Sequence, residues 1–384
     1  MAGEGWAQAA FKARVDEVLH RVVAEEADRF AAIDASLAGV AEQLEASVAH
    51  GKRLRAAFCY WGWRAVGQPD GDAPVRAAAS MELVHAAAVV HDDLIDDSPL
   101  RHGRPTAHVA LRRALSGRRN APAEADTADT ADTADTADTA DTAKALADVD
   151  AVDSAGAARS LAMLVGDLLM ALAGQLFATC GLPSAYVARA RPLWSVMARE
   201  LIAGECLEIL RTGAGPDTAT ALKVIRYKTA KYTVEHPLLI GGALAGAGAR
   251  LREGYSAYGL PLGEAFQLRD DLLGLFGDPE HTGKANADDL RGHRPTTLLA
   301  ETWRLAGDAD RKLLRGLLGR PDLNGEGLDA VRATMRRLKA PDRVEDMIAA
   351  RVEEALAALH DLAVPEQATT ALTALAHSAS ARLS

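Results

Sequence analysis

The run His91-Asp92-Asp93-Leu94-Ile95-Asp96-Asp97 crowds carboxylates onto one short segment. Asp92 and Asp96 are four apart, so on a helix they stand one turn above each other, with Asp93 beside them. Like charges so placed repel, and acids near a helix C-terminus oppose its dipole. Ligation of a hard divalent cation, above all Mg²⁺ shared with substrate phosphates, offsets both costs. The alternative is a solvated acidic helix end. A second acidic pair, Asp270-Asp271, lies far downstream within Phe266-Gln267-Leu268-Arg269-Asp270-Asp271-Leu272-Leu273-Gly274. On separate helices of one bundle, two such clusters can face each other across a cavity and hold cations with a diphosphate. For this pair the alternative is an exposed helix face with Arg269 as ion-pair partner.

Basic residues supply the complement. Gly51-Lys52-Arg53-Leu54-Arg55 sets Lys52 and Arg55 three apart, on one helix face near its N-terminus. There the dipole favours an anion, and both side chains offer charge-assisted donors. Arg101 and Arg104 follow the first acidic cluster, while Lys228, Lys231, Lys284 and Arg294 punctuate later loops and helix ends. Taken singly, each of these reads as an ordinary surface base.

The elements that must position these groups read as helices. Residues 7–30 place Ala10, Val15, Val18, Leu19, Val22 and Val23 on one side among Lys, Arg and Glu. Further helices are expected over 33–49 and 52–66, then from Pro74 to Asp97, where Pro99 stops the pattern. The period resumes over 157–180 and 184–212, then near 216–247, 250–277, 296–318, 325–338 and 341–382. No sustained alternating segment demands a sheet, and aromatics are only 4%, which favours helix over a β-sandwich. The expectation is an all-α chain, 1–384, forming one large single-domain helical bundle with a central cavity. Residues 116–154 are the exception. They include six Ala-Asp-Thr triplets, Ala125 to Thr142, whose three-residue period drifts around a helix and gives no stable apolar face. This stretch reads as a disordered insertion in a surface connection.

The formal charge of −10 owes much to that tract. Six of the 53 acids lie in it, leaving 47 against 43 bases, a balance that disfavours general nucleic-acid binding. Cys59, Cys180 and Cys206 form no Cys-x-x-Cys pair. The N-terminus lacks a basic region followed by an apolar core, and the longest apolar stretch, Pro237 to Ala249, is short for a membrane span. The reading is a soluble cytoplasmic protein with no membrane segment.

Together the motifs resemble the trans-isoprenyl diphosphate synthases, the polyprenyl synthetase family. The resemblance covers about 45–300, excepting the insertion, in one order. It comprises Gly51-Lys52-x-x-Arg55, His85 seven residues before Asp92, the first aspartate-rich motif, Gly103-Arg104-Pro105-Thr106 and Gly166-Asp167. Lys228-Thr229, Phe266-Gln267 before the second motif, Gly283-Lys284, and Asp289 to Thr296 complete it. The run Lys228 to Glu235 and the ending Asp-Asp-Leu-Leu-Gly look like the geranylgeranyl diphosphate synthases of actinobacteria.

The resemblance implies an isoprenoid-synthase bundle that condenses an allylic diphosphate with isopentenyl diphosphate. It further implies three Mg²⁺ ions, with Mn²⁺ able to substitute, and a homodimer. Asp92, Asp93, Asp96, Asp270 and Asp271 would be the metal ligands. Arg101, Lys228, Lys284 and Arg294 would hold the allylic diphosphate, with Thr229 and Gln267 beside the reacting carbons. Lys52, Arg55 and His85 would bind isopentenyl diphosphate. Product length in this family follows bulk below the first motif. Ala87 and Ala88 lie about one turn before Asp92, roughly 6 Å along a helix, with Val84 and Met81 as deeper floor residues. Two alanines leave room, which implies geranylgeranyl diphosphate or a longer chain.

Five positions depart from the family pattern. His102 replaces the second of two adjacent arginines that grip isopentenyl diphosphate, and its shorter, partly charged ring implies weaker binding. Gly274 replaces the last acid of the second motif, as in actinobacterial members, and Arg294 stands where Lys is usual. Gly204-Glu205-x-x-Glu208 replaces Gly-Gln-x-x-Asp, keeping a carboxylate but changing its reach. A class I terpene cyclase and a non-catalytic subunit of a hetero-oligomeric prenyl synthase are the competing readings. Retention of Lys52, Arg55 and His85 argues against the cyclase, and retention of both acidic motifs argues against the silent subunit.

Overall fold

A computed structural model describes residues 8–101, 103–119, 139–277 and 288–381. His102, Lys284 and residues 120–138 lie outside the described residues. The chain divides into two compact units. One comprises Met1–Val18, Gly51–Val84 and Ala173–Ser384, and the other Leu19–His50 and His85–Leu172.

Helix α1 (Gln8–Ile33) buries Phe11, Val15, Leu19 and Val23, every fourth residue of an amphipathic stripe. It is followed by α2 (Ala38–Val48), α3 (Leu54–Arg64) and α4 (Asp72–Ile95). A two-residue hairpin, β1 (Leu100–Arg101) with β2 (Arg104–Pro105), leads to α5 (Ala107–Arg119). Two long helices follow, α6 (Thr139–Ala178) and α7 (Ser184–Arg211). Then come α8 (Thr218–Val224), a π-helical segment Ile225–Glu235, α9 (His236–Ala245) and α10 (Ala249–Phe276). The chain continues through α11 (Asp288–Arg291), α12 (Thr297–Leu305), α13 (Asp308–Leu317) and α14 (Gly325–Arg337). The last two helices are α15 (Ala340–His360) and α16 (Glu366–Ser380). The expected all-α class is what the structure has.

In the first unit α10 packs along α15 and against the π-helical segment, while α3 packs on α9. Leu268, Leu272 and Leu275 of α10 join Leu298, Leu314, Val331, Val344 and Ile348 in one buried cluster. Side-chain caps fix the shorter helices. Asp217, Thr296 and Asn324 accept from Thr220 N, Leu299 N and Gly327 N, so α8, α12 and α14 begin where those residues stand. In the second unit α2 packs against α5.

Four features differ from the sequence reading. Helix α4 ends at Ile95, because Asp97 takes a left-handed backbone with φ 53°. The expected helix over 216–247 is interrupted by the π-helical segment, a geometry whose i→i+5 bonding leaves no distinct residue pattern. The segment read as a disordered insertion over 116–154 is helical at both ends, to Arg119 and from Thr139. Residues 139–154 prolong a helix already fixed by buried Ala158, Ala162, Val165, Leu169, Leu172 and Leu176, so Ala-rich sequence extends it without a fresh nucleation cost. Finally, Ser154–Ala178 is long and apolar enough to cross a membrane by length and composition. Arg159, Ser160, Asp167 and Gln175 interrupt its apolar run. Its buried residues recur at three- and four-residue spacing, the pattern of a helix packed along one face.

Candidate active site

The first acidic motif occupies the last turn of α4. Asp93 is buried, and Asp92 and Asp96 are half-buried. The hairpin beyond the helix turns at Gly103, φ 72°, where only a residue without Cβ adopts the backbone freely. Thr106 closes the loop by donating to the Ser98 carbonyl at 2.7 Å. This return path brings Arg101 back under the acids. Its Nε donates to both oxygens of Asp93 at 2.8 and 3.0 Å, and its second terminal nitrogen reaches Asp93 at 2.6 Å and Asp92 at 3.3 Å. The Gly-Arg-Pro-Thr motif is therefore the device that folds Arg101 onto the carboxylates.

His91 is fixed from the other side. Its Nε2 lies 3.1 Å from the Met163 carbonyl and 3.5 Å from Asp167. A Cβ on Gly166 would overlap the imidazole, so Gly166 is the residue that admits the ring. The Gly166-Asp167 motif thus anchors the helix turn that carries Asp92. The contact with Met163 joins segments 72 residues apart, which local spacing does not link. Upstream on α4, Met81, Val84 and Ala87 are fully buried, while His85 and Ala88 are half-buried.

In the other unit, the π-helical segment and α10 present a hydrogen-bonded series. The Thr229 hydroxyl donates to Gln267 Oε1 at 2.8 Å, and Gln267 Nε2 donates to Asp271 Oδ1 at 2.9 Å. Gly263, opposite Ala230, lets the two elements approach, since a Cβ there would lie 2.7 Å from the Ala230 carbonyl oxygen. The Asp271 carboxyl is pushed up to about 8. Burial is the main cause, followed by the charge of Asp289, with Asp270 and Glu208 adding and the Gln267 hydrogen bond opposing. Asp271 Oδ2 is buried with no hydrogen-bond partner among the described residues, whereas Asp270 is exposed. A hard cation fits this donor set, because it relieves both the repulsion and the unsatisfied oxygen.

Lys228 stands between Glu205 and Glu208 of α7, with its amine 2.9 Å from Glu205 and in contact with Glu208. Gly204 sits directly against the backbone of Tyr227 and Lys228, so α7 and the π-helical segment touch without an intervening side chain. Lys231 is held separately, 2.9 Å from Glu200 and 3.4 Å from Glu235. Arg294 pairs with Asp289 at 3.2 Å. Arg269 turns away from the acidic motif. It binds Glu345 through two bonds of 2.6 and 2.8 Å and the Ser380 carbonyl at 3.1 Å, so the intramolecular Arg269 ion pair of the alternative reading is present, with Glu345 as its partner.

The basic element requires a correction. Lys52 and Arg55 do not share a helix face, because α3 begins only at Leu54 and Arg53 before it has φ 56°. Lys52 is exposed on the connection. The start of α3 is also already served by a carboxylate: Glu82 Oε1 accepts from Ala56 N at 2.9 Å, while Arg53 binds Asp16 at 2.6 Å. The helix end is thus occupied internally. Arg55 is buried at 7% exposure and lies over the Tyr232 ring at 4.4 Å. Its hydrogen bonds go to the Tyr232 and Thr233 hydroxyls at 2.7 and 2.9 Å. Among the described residues no carboxylate neutralises this guanidinium.

The chain is thus all-helical and carries one acidic motif in each of its two units. The profile of the polyprenyl synthetase family matches residues 38–131 and 148–335, and the chain belongs to that family. A (2E,6E)-farnesyl diphosphate synthase of Mycobacterium bovis is 33% identical over 273 residues, 70% of this chain and 61% of that protein. The chain therefore spans less than two thirds of that relative's length. A geranylfarnesyl diphosphate synthase of Aeropyrum pernix is 28% identical over 67% of this chain and 68% of its own. Among solved structures, the geranylgeranyl pyrophosphate synthase of Corynebacterium glutamicum, complexed with isoprenyl diphosphate and magnesium, aligns with TM-score 0.84. That match has 29% identity over 96% of this chain and 98% of the other.

Proposed function

We propose that the protein is a Mg²⁺-dependent prenyltransferase that condenses an allylic diphosphate with isopentenyl diphosphate, yielding geranylgeranyl diphosphate. The observation that carries this reading is the series Thr229–Gln267–Asp271. It links two oxygens suited to face a carbocation with a carboxylate suited to face a metal. The allylic C–O bond breaks with its electron pair on diphosphate, the alkene of isopentenyl diphosphate adds to the cation, and a proton leaves. Asp92, Asp93, Asp96, Asp270 and Asp271 would hold Mg²⁺, which when bound supplies charge for the departing diphosphate. Arg101, Lys228 and Arg294 are each paired with acids in the free protein. On binding, diphosphate oxygens would take over these donors while the metal takes the acids, so no charged group is left unpaired.

Arg55, buried against neutral hydroxyls and an aromatic ring, supports a second anion, with Lys52 and His85 alongside it in role. That favours condensation over cyclisation, which has no second diphosphate to hold. The relatives make products of several lengths, so C20 rests on Ala87 and Ala88. Ala88→Phe should shorten the product toward C15, as read by mass spectrometry of the dephosphorylated prenols; an unaltered profile removes Ala88 from the floor. His102→Arg should lower the Michaelis constant for isopentenyl diphosphate severalfold and leave that for the allylic partner alone. If the constant stays put, His102 is not the cause of weak binding. A homodimer in the cytoplasm is part of the same proposal. Ile202 and Ile209, seven apart on one face of α7 and both exposed, support a second copy there. Incorporation of labelled isopentenyl diphosphate into an extractable prenyl product tests the whole reading; absence of incorporation with every allylic primer from C5 to C15 rejects it.

A further inference from the structure

Arg53 lies between Lys52 and Arg55, and its own side chain is buried, at 4% exposure. Its Nε donates to Asp16 Oδ1 of α1 at 2.6 Å, and a terminal nitrogen lies 4.0 Å from Glu82 Oε2 of α4. Burying a guanidinium is costly unless carboxylates meet it, and here two do, from separate helices. Gly51 makes the room. A Cβ there would stand 3.1 Å from the same terminal nitrogen, on a backbone with φ 136°.

Both acids are themselves held. Burial pushes the Asp16 carboxyl up, but Lys12, 2.6 Å away, and Arg53 outweigh it and keep it below its ordinary value. Glu82 is buried too, and its Oε1 accepts from Ala56 N at 2.9 Å. One side chain thus serves both the guanidinium and the first turn of α3.

These contacts coincide with a strained backbone. Arg53 has φ 56°, a left-handed state that disfavours residues with a Cβ and persists where the surroundings over-determine it. Its consequence falls on the neighbours. The left-handed residue ends the connection that carries exposed Lys52 and starts α3, whose first turn aims Arg55 at the Tyr232 and Thr233 hydroxyls. An extended or helical backbone at Arg53 would redirect Lys52 relative to Arg55.

We propose that Arg53 is a positioning residue for isopentenyl diphosphate: tied to Asp16 and Glu82, it holds the turn that sets Lys52 relative to Arg55. The proposal rests on the reading of Lys52 and Arg55 as ligands of that substrate. Arg53 acts through these neighbours, its own guanidinium being committed to the two acids.

The test is steady-state kinetics of the purified full chain in Mg²⁺, each substrate varied in turn, beside thermal unfolding. Asn enters the left-handed region more readily than most residues, so Arg53→Asn removes the tie without forbidding the turn. It should raise KM for isopentenyl diphosphate about tenfold and leave that for the allylic partner unchanged. Asp16→Asn, which leaves Arg53 in place, should raise the same constant by less. The double variant should be no worse than Arg53→Asn alone, because both changes cut one tie. A lowered Tm with both constants unchanged overturns the proposal, and so does an equal rise in both, since a merely structural tie gives no split. Should Arg53→Asn fail to fold, Asp16→Asn decides by the same criterion. Lys52→Gln, at an exposed side chain, separates the two levels. If it raises KM for isopentenyl diphosphate where Arg53→Asn does not, only the positioning role has failed; if neither moves it, the turn is not that substrate's site.

Discussion

Asp271→Asn should abolish most turnover while leaving the metal-free protein as stable as before, or more so, near neutral pH. Asn keeps the shape of Asp and can still accept from Gln267 Nε2, so the Thr229–Gln267 pair stays in register. What is lost is a charge where the metal and departing diphosphate need it, a change worth about 10²–10³ in kcat. The stability half follows from the carboxyl itself. In the folded protein its pKa is raised from 3.8 to about 8, first by burial and then by Asp289. The native state therefore holds a proton that the unfolded chain releases. Metal-free stability should fall as pH climbs from about 4 to about 8, and the Asn variant should lack that part of the decline. Thermal unfolding at several pH values in chelator, beside steady-state kinetics in Mg²⁺, measures both. A variant that loses activity and stability together at neutral pH would make Asp271 a structural residue.

Gly204→Ala tests a different kind of dependence. The added methyl would lie 2.6 Å from the carbonyl carbon of Tyr227 and 2.7 Å from Lys228 Cα. Both are backbone atoms, so no side chain can swing aside, and α7 must move off the π-helical segment. Overpacking of this kind costs about 1–3 kcal/mol. The same displacement separates Lys228 from Glu205 and Glu208, and a shift near 1 Å in a positioning group can cost about 10²-fold. The expected result is a lowered Tm together with a loss in kcat/KM for the allylic diphosphate beyond the loss for isopentenyl diphosphate. Wild-type melting and kinetics in Gly204→Ala would mean that the close approach has no role.

The helical class and the motif residues were legible because each depends on local spacing. Asp92, Asp93 and Asp96 occupy one helix end because four residues make a turn, and Thr229, Gln267 and Asp271, named by the order of motifs, are hydrogen-bonded in series. What the sequence hid was set by backbone states and by distance along the chain. The left-handed Arg53 separates Lys52 from the face of Arg55, and no residue type announces that conformation in an arginine. The π-helical geometry of Ile225–Glu235 arises where α10 and α7 press on the segment through Gly259, Gly263 and Gly204. Gly166 and His91 meet only because α6 returns alongside α4. The helix over 139–154 depends on the packed helix to which it is joined, which composition alone does not reveal.

The central claim is that two diphosphates meet here, one ionising and one adding. Pyrophosphate release by the purified protein with Mg²⁺ and an allylic diphosphate, measured with and without isopentenyl diphosphate, tests it most directly. Rapid release is expected only when both are present, in equal moles with the isopentenyl diphosphate consumed. Equal release from the allylic diphosphate alone, with a hydrocarbon or alcohol as product, would contradict it.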